Sequence, residues 1–504
     1  MIIFIGKIVR HLLTAGFHVR AVTRNPGSDA ARYAASRGAV PVAGDLNDRA
    51  SIRDAIQGAD AVYYLGASDP SDFGRSSIDS GTKEKNMGSG FLSRRDMVAA
   101  AAGLPLAGVA MAADSPKRVA GSPAPRGAVH GIVVPGYEPV RAAFEDNFAS
   151  GKELGAHFAV YRDGAPLVDL WGGSADETGT VPIAQNTLYT LMSTTKGLTS
   201  MCIAMLVDRG KLDYEAPVAT YWPEFATQGK GAVTVGELMS HQAGLTGPRG
   251  PSTIEDFYEH KALAARLAAQ EPFFRPGVFG YHSLTFGTLA DELVRRTDGR
   301  TVSRFFADEV ASKVGIDAFM GLPAKEEYRA ATMVSAMDPN SLGFDSPNPA
   351  AAAASSSTSG FIPWGPDQRK DREHGIPAGG GTSNARNLAK LYGHLVRGDQ
   401  PGATPLISKA VLQQATRARI AGVNQVHGEL GRYAAGFRLD QTRFGSNPAS
   451  FGHCGFGGST AFADPTRRLG VSYTPNRMFN PNWYGTDPRL ANLLNALFIV
   501  EERK

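Results

Sequence analysis

Two strand-pair signals bracket a long helical stretch, and that arrangement limits the possible folds of this chain more than any other feature. The first is FAVYRDGAPLVDLWGG (Phe158–Gly173), where Asp163-Gly164 divides two alternating apolar runs. Asp-Gly between such runs is a strong hairpin signal, because these residues tolerate the positive φ that a tight turn needs. The second is ASFGHCGFGGSTAFADPTRRLGVSYTPN (Ala449–Asn476), which reads as two further antiparallel strands. Helical periodicity dominates from Thr194 to about Gly315, and Pro488–Glu501 reads as a closing helix. Strands at both ends with helices between predict a mixed α/β (α+β) domain over residues 129–504. Its antiparallel sheet is assembled from the two ends, flanked by helices, with a helical subdomain inserted. Within it, Asn348–Gly360 (NPAAAAASSSTSG) reads as a flexible surface loop.

Residues 1–75 follow a different pattern. Strands are predicted at Met1–Ile5, His18–Thr23, Ala39–Ala43 and Ala61–Leu65, with helices at Lys7–Ala15, Asp29–Arg37 and Asp48–Gln57. Alternating strands and helices imply a parallel sheet of βαβ units. A dinucleotide site would need a glycine-rich first turn, so that the backbone can approach a pyrophosphate at the helix N-terminus. The segment IIFIGKIV offers only Gly6, and the pattern stops near Phe73. The segment therefore reads as an incomplete Rossmann-like unit, and no cofactor is expected.

Residues 76–128 read as a linker. Within it, SRRDMVAAAAGLPLAGVAMAAD (Ser93–Asp114) has an arginine pair, an apolar stretch and a cleavage-like Ala110-Met111-Ala112. That order, over residues 93–113, is the grammar of a twin-arginine export signal. The chain as written reads as cytoplasmic; translation from Met87 would make the protein periplasmic or secreted.

Composition excludes several classes. A net charge of +4 over 504 residues, with no Lys/Arg block, argues against nucleic acid as a partner. No apolar run reaches the ~20 residues of a transmembrane helix. Cys202 and Cys454 allow one disulfide but no zinc spacing, and no HExxH occurs, so no metal is expected. GxSxG is absent, which excludes the common nucleophile elbow of α/β-hydrolases.

The chemistry-bearing signal is Ser193-Thr194-Thr195-Lys196. Leu198, Met201, Cys202, Met205 and Leu206 recur downstream at helical spacing. Ser193 is thus expected near a helix N-terminus, with Lys196 one turn on and on the same face. A serine hydroxyl needs a base to become nucleophilic, and a neutral lysine supplies one. Lowering an ordinary lysine to about 7 costs about 4–5 kcal/mol, which burial, positive charge and a helix dipole can impose. Two later elements fit this pair. Tyr281-His282-Ser283 offers a tyrosine, and Gly452-His453-Cys454-Gly455-Phe456 offers a strand edge whose N–H groups can bind an oxyanion.

SxxK, YxS and HxG in this order resemble the penicillin-recognising serine enzymes, particularly class C β-lactamases and family VIII carboxylesterases. GYEPVRAAFEDNF (Gly136–Phe148), LMSHQAGL (Leu238–Leu245) and IPAGGGTSNARNLAKLY (Ile376–Tyr392) agree with the esterase branch. The resemblance implies a β-lactamase/transpeptidase-like fold and a serine hydrolase that cleaves carboxylic esters through an acyl-enzyme on Ser193. It makes Lys196 the proton acceptor, Tyr281 the second acid/base group, and the N–H groups of Ser193 and Phe456 the oxyanion hole. It puts His453, Gly455 and Ser283 on the substrate side. Ser283 stands where β-lactamases carry asparagine, and His453 where their KTG element carries lysine, which favours simple esters over β-lactams. Acyl transfer to another acceptor, or β-lactamase or D-amino-acid peptidase activity, are the alternatives on the same residues. Tyr433, Phe456 and Trp364 are candidates for an acyl pocket or for core. His241 reads as a packing residue. The front segment resembles a truncated NmrA-like fold through AVTRNP (Ala21–Pro26), GDLND (Gly44–Asp48) and GADAVYYL (Gly58–Leu65). That makes a nucleotide-binding reductase or sensor the remote alternative. The expected partner is a small-molecule ester; oligomeric state is left open.

Overall fold

The computed structural model describes residues 129–335, 348–358, 361, 368–397, 405–440, 443–479 and 487–503, together with 19–23, 32, 35, 40–43 and 61–64. The strand predicted at 1–5, the helices at 7–15 and 48–57, the signal-like stretch at 93–113 and Trp364 lie outside these residues, as does most of the helix at 29–37. The chain divides into two compact units, Met1–Lys117 and Arg118–Lys504.

In the first unit, β1 (Val19–Thr23), β2 (Val40–Ala43) and β3 (Ala61–Tyr64) form a parallel sheet in the order β2-β1-β3. Val22 pairs with Val42 on one side and Tyr64 on the other. Parallel neighbours need crossover connections, which is what the sequence alternation implied.

The second unit is built on a six-stranded antiparallel sheet. It opens with β4 (His130–Val133), helix α1 (Glu138–Ala149), β5 (Gly155–Arg162) and β6 (Ala165–Gly173). The β5–β6 turn is Asp163-Gly164, with φ of 51° and 84° at its two residues, as a tight hairpin requires. The sheet is completed by β12 (Phe451–Cys454), β13 (Thr460–Asp464) and β14 (Leu469–Pro475), in the order β12-β13-β14-β5-β6-β4. The region read as two strands thus holds three, because Gly457 and Gly458, at φ 89° and 114°, turn the chain between β12 and β13. The segment between the sheet halves carries helix α2 (Thr195–Asp208), α3 (Thr285–Asp298), α4 (Pro349–Thr358) and α5 (Ala385–Val396), and the chain closes with α6 (Pro488–Glu501). Two smaller sheets accompany the main one: β7 (Tyr189–Thr190), β9 (Gly381–Ser383) and β8 (Phe319–Met320) in that order, and the hairpin of β10 (Ile420–Val423) and β11 (Leu430–Tyr433).

Helix α4 corrects the expectation of a flexible loop over Asn348–Gly360. The run is alanine-rich, and alanine is the best helix former; Asn348 also accepts from the Ala350 N–H at 3.0 Å through its side chain, as a cap does.

Alternation along β5 covers both sheet faces. Phe158 and Val160 join Phe144, Leu170 and Leu493 in a core beneath α1 and α6, while Ala159 and Tyr161 meet Ala385 and Ala389 of α5. Helix α5 approaches the sheet closely: a Cβ at Gly470 would lie 2.1 Å from the Ala389 carbonyl. The largest core surrounds α2, whose residues Thr195–Leu206 are all buried. Cys202 is buried there and, like Cys454, is a free thiol, so no disulfide joins them. Among the described residues no helix is long and apolar enough to cross a membrane.

Candidate active site

Ser193 sits in a 3₁₀ turn, Met192–Thr194, that leads directly into α2. The α-helix therefore starts two residues after Ser193. Met192 adopts a φ of 49°, a left-handed conformation that costs a side-chain-bearing residue about 1–3 kcal/mol. Neighbouring bonds hold it there. The Leu191 N–H donates to the Gly381 carbonyl at 2.8 Å, and Ser459 Oγ donates to the Leu191 carbonyl at 2.6 Å. Thr195 Oγ1 donates to the Met192 carbonyl at 2.7 Å and accepts from the Gly381 N–H at 3.0 Å. The turn presenting Ser193 is thus fastened to both the β12–β13 connection and the Gly-rich loop before α5.

Lys196 is fully buried, and its Nζ lies 3.1 Å from Ser193 Oγ. It also donates to the Ser283 carbonyl at 2.7 Å and the Ala378 carbonyl at 2.9 Å. Burial holds its basicity well below the ordinary lysine value, against an opposing pull from Cys454. A neutral amine has two N–H donors and one lone pair. With both donors taken by carbonyls, the lone pair is left for the Ser193 hydroxyl.

Tyr281 lies over the same pair: Lys196 Nζ is 5.0 Å from its ring centre, and the Ser193 side chain is near enough to its hydroxyl to pull against the effect of burial. Burial, reinforced by Tyr433, pushes the Tyr281 hydroxyl well above the ordinary phenol value, so it stays protonated. Its N–H donates to Asn424 Oδ1 at 2.9 Å. His241 packs behind it, ring centres 4.6 Å apart, and accepts the His282 N–H on Nδ1 at 3.1 Å. His282 accepts the Leu245 N–H on Nε2 at 3.0 Å and faces away from Ser193.

Ser193 and Tyr281 open on a cavity of about 110 Å³, whose wall includes Gly455 and Phe456. His453 and Ser283 are not on that wall. The neighbouring Cys454 lines the cavity, while His453 is buried beside the cavity-lining Tyr281 and Tyr433, ring centres 6.4 and 6.2 Å apart. His453 Nδ1 bonds to the Cys454 carbonyl at 2.8 Å; burial and the nearby Lys196 hold the ring well below the ordinary imidazole value, so it is neutral. Ser283 meets the site through its carbonyl, which accepts from Lys196 Nζ. Tyr433 and Phe456, candidates for the pocket, both line it. Six polar residues on the wall were not singled out from sequence: His427, Glu429, Arg438, Arg443, Thr460 and Asp487. The first four come from the β10–β11 connection and the segment after β11, Thr460 opens β13 and Asp487 precedes α6, and no spacing links them to SxxK.

Among the described residues no group of three or more His, Cys, Asp or Glu side chains is placed to hold a metal.

Comparison with known proteins agrees with this architecture. The Beta-lactamase family model matches residues 140–495, and the NmrA-like family model matches residues 5–83. The esterase/beta-lactamase LipL of Mycobacterium tuberculosis is 34% identical over 375 residues, covering 70% of this chain and 84% of LipL. A family VIII carboxylesterase crystal structure superposes with a TM-score of 0.68 at 39% identity, covering 74% of this chain and 100% of that one. A penicillin-binding protein homologue from Caulobacter crescentus gives 0.68 at 38% identity, with coverage of 74% and 100%. With a family match across most of the chain and a Ser–Lys–Tyr cluster at the cavity, the chain belongs to the β-lactamase family of serine hydrolases.

Proposed function

We propose that this protein hydrolyses carboxylic esters through an acyl-enzyme on Ser193. The observation that carries the reading is the environment of Lys196: a buried amine, two carbonyls on its donors, and one hydroxyl left for its lone pair.

In the proposed cycle, the Lys196 amine takes the Ser193 proton as Oγ attacks the ester carbonyl. The negative charge that develops on the carbonyl oxygen is met by the N–H groups of Ser193 and Phe456, the two residues proposed as oxyanion donors. Losing one such donor typically costs about 3–4 kcal/mol. Collapse of the tetrahedral species breaks the ester C–O bond. The departing alkoxide receives a proton from the Tyr281 hydroxyl, which Lys196 then restores. A water molecule attacks the acyl-enzyme with the Tyr281–Lys196 pair as its base, and Ser193 leaves protonated. Ser283 supplies the carbonyl that orients Lys196, and His453 supports the Tyr281–Tyr433 layer from behind. Gly455 keeps the cavity wall close to the nucleophile turn: a Cβ there would lie 2.3 Å from the Leu191 carbonyl. The similar proteins named as an esterase and as a family VIII carboxylesterase support the ester class.

The test is hydrolysis of short-chain p-nitrophenyl esters by the intact protein and by Ser193→Ala. The intact protein should turn over, and the variant should lose at least about 1000-fold in kcat. A folded intact protein that hydrolyses none of these esters sinks the reading.

A further inference from the structure

The β10–β11 hairpin carries a buried asparagine that the ester-cleaving steps do not use. The residues closing its two strands, Val423 and Leu430, pair across the hairpin and are 41% and 47% exposed. Asn424, next to Val423, has no exposed surface. A buried amide is costly unless its polar atoms find partners, and here they do. Its Oδ1 accepts the Val426 N–H at 3.0 Å, an Asx turn, and on its second lone pair the Tyr281 N–H at 2.9 Å. Its Nδ2 donates to Glu429 Oε1 at 2.8 Å. The main chain of the same residue closes the connection: the Asn424 N–H donates to the Glu429 carbonyl, and the Gly428 N–H to the Asn424 carbonyl, both at 2.8 Å.

Other contacts of the hairpin converge on the same place. The Gln425 N–H donates to the Phe279 carbonyl at 2.9 Å, just upstream of Tyr281. His427 and Tyr433 each put a ring 6.1 Å from the Tyr281 ring centre. Tyr281 lies in irregular backbone ahead of α3, so no strand ladder or helix fixes its main chain. Its N–H is taken by a side chain instead, and a side chain can be removed by substitution. Lys196 is oriented independently, by the carbonyls of Ser283 and Ala378.

We propose that Asn424 is a positioning residue for Tyr281: oriented by Glu429, it holds the Tyr281 main chain so that the phenol hydroxyl meets the departing alkoxide. This rests on the carboxylesterase reading above. Misplacing a reacting group by about 1 Å can cost about 100-fold. The loss falls on protonation of the leaving group and spares activation of Ser193 by Lys196.

The readout is kcat/KM for p-nitrophenyl hexanoate divided by kcat/KM for ethyl hexanoate. A nitrophenolate leaves without a proton and an ethoxide does not, so the ratio rises when Tyr281 is misplaced. An asparagine that only stabilises the fold would lower both rates alike and leave the ratio unmoved. Asn424→Leu should raise it about tenfold. In the Tyr281→Phe background the same substitution should change it by less than about twofold, since residues acting through one another are not additive. The bond can also be inverted, which does not depend on Asn424→Leu folding. Asn424→Asp sets two carboxylates against each other and should raise the ratio about fivefold. Adding Glu429→Gln returns a donor to the pair, keeps an acceptor for the Tyr281 N–H, and should bring the ratio back to within about twofold of the unaltered protein. An unmoved ratio in folded Asn424→Leu or Asn424→Asp overturns the inference and leaves the carboxylesterase reading standing. So does an equal rise in the Tyr281→Phe background, or a rise in Asn424→Asp that Glu429→Gln does not reverse. Hydrolysis of neither ester by the intact protein overturns both.

Discussion

Two buried lysines occupy different regions of this molecule, and only one of them faces a nucleophile. Lys196 and Lys230 are both inaccessible to solvent. Each gives hydrogen bonds to two backbone carbonyls: Lys196 to Ser283 and Ala378, Lys230 to Thr227 at 2.8 Å and Gln270 at 2.6 Å. Each lies over an aromatic ring, Tyr281 at 5.0 Å and Phe225 at 5.7 Å. Burial lowers both, Lys230 to about 8 and Lys196 well below the ordinary value. What separates them is the third direction around the nitrogen. For Lys196 it holds the Ser193 hydroxyl. Burial and weakened basicity are therefore common to a structural and a reactive lysine. The reactive one is marked by what its lone pair can reach.

Substitutions sharpen this contrast. Lys196→Met should lower kcat by about 1000-fold or more while the protein stays folded by circular dichroism, as expected when a general base is lost. Equal losses for Lys196→Met and Lys230→Met would erase the distinction. Tyr281→Phe should cost about 100-fold, and more with alkyl esters than with p-nitrophenyl esters, because an alkoxide needs a proton to leave. A loss independent of leaving group would remove Tyr281 from that role.

The pH profile follows from the two shifts. Lys196 must be neutral to act, and its basicity is lowered, so the reactive form is reached at lower pH than for an ordinary lysine and is lost as pH falls through that lowered value. Tyr281 is raised, so it keeps its proton through the ordinary phenol range. For a non-ionising ester, kcat/KM should fall about tenfold per pH unit on the acid side and stay level to about pH 10. A descending limb near pH 8 would contradict this assignment of protonation states. The smallest effect on rate is expected for Lys230→Met. Its activity should stay within about twofold, and its stability toward urea should drop by about 1–3 kcal/mol as two carbonyls lose their donor.

How far the sequence revealed this site depended on whether partners were local. Ser193 and Lys196 are three residues apart, and a single helical turn determines that they meet, so the spacing was informative. The Asp163-Gly164 hairpin was equally legible, because its turn chemistry is self-contained. Tyr281 and the Cys454–Phe456 edge were placed by resemblance, since nothing local ties them to Ser193. His453 and Ser283 were expected on the substrate side; the His453 ring packs beside Tyr281 and Tyr433, and the Ser283 carbonyl accepts from Lys196. Asn348–Gly360 was read as a loop from its low complexity, while its alanine run favours the helix over Pro349–Thr358. Asn424 was invisible because its significance depends on meeting Tyr281, 143 residues earlier, which is a property of the folded chain. The parallel strands of the first unit were readable from alternation, since βαβ order requires parallel neighbours.

Lys196 is held by the main-chain carbonyls of residues 283 and 378, and this bears on how such a protein can change. Every amino acid has a carbonyl, so either position can mutate without depriving the lysine of its acceptor, provided the local backbone path survives. Reactivity and selectivity are thereby separable in this architecture. Substrate range can drift through side chains while the proton-transfer apparatus is inherited intact, and an asparagine-to-serine exchange at position 283 is the kind of step that such separation permits.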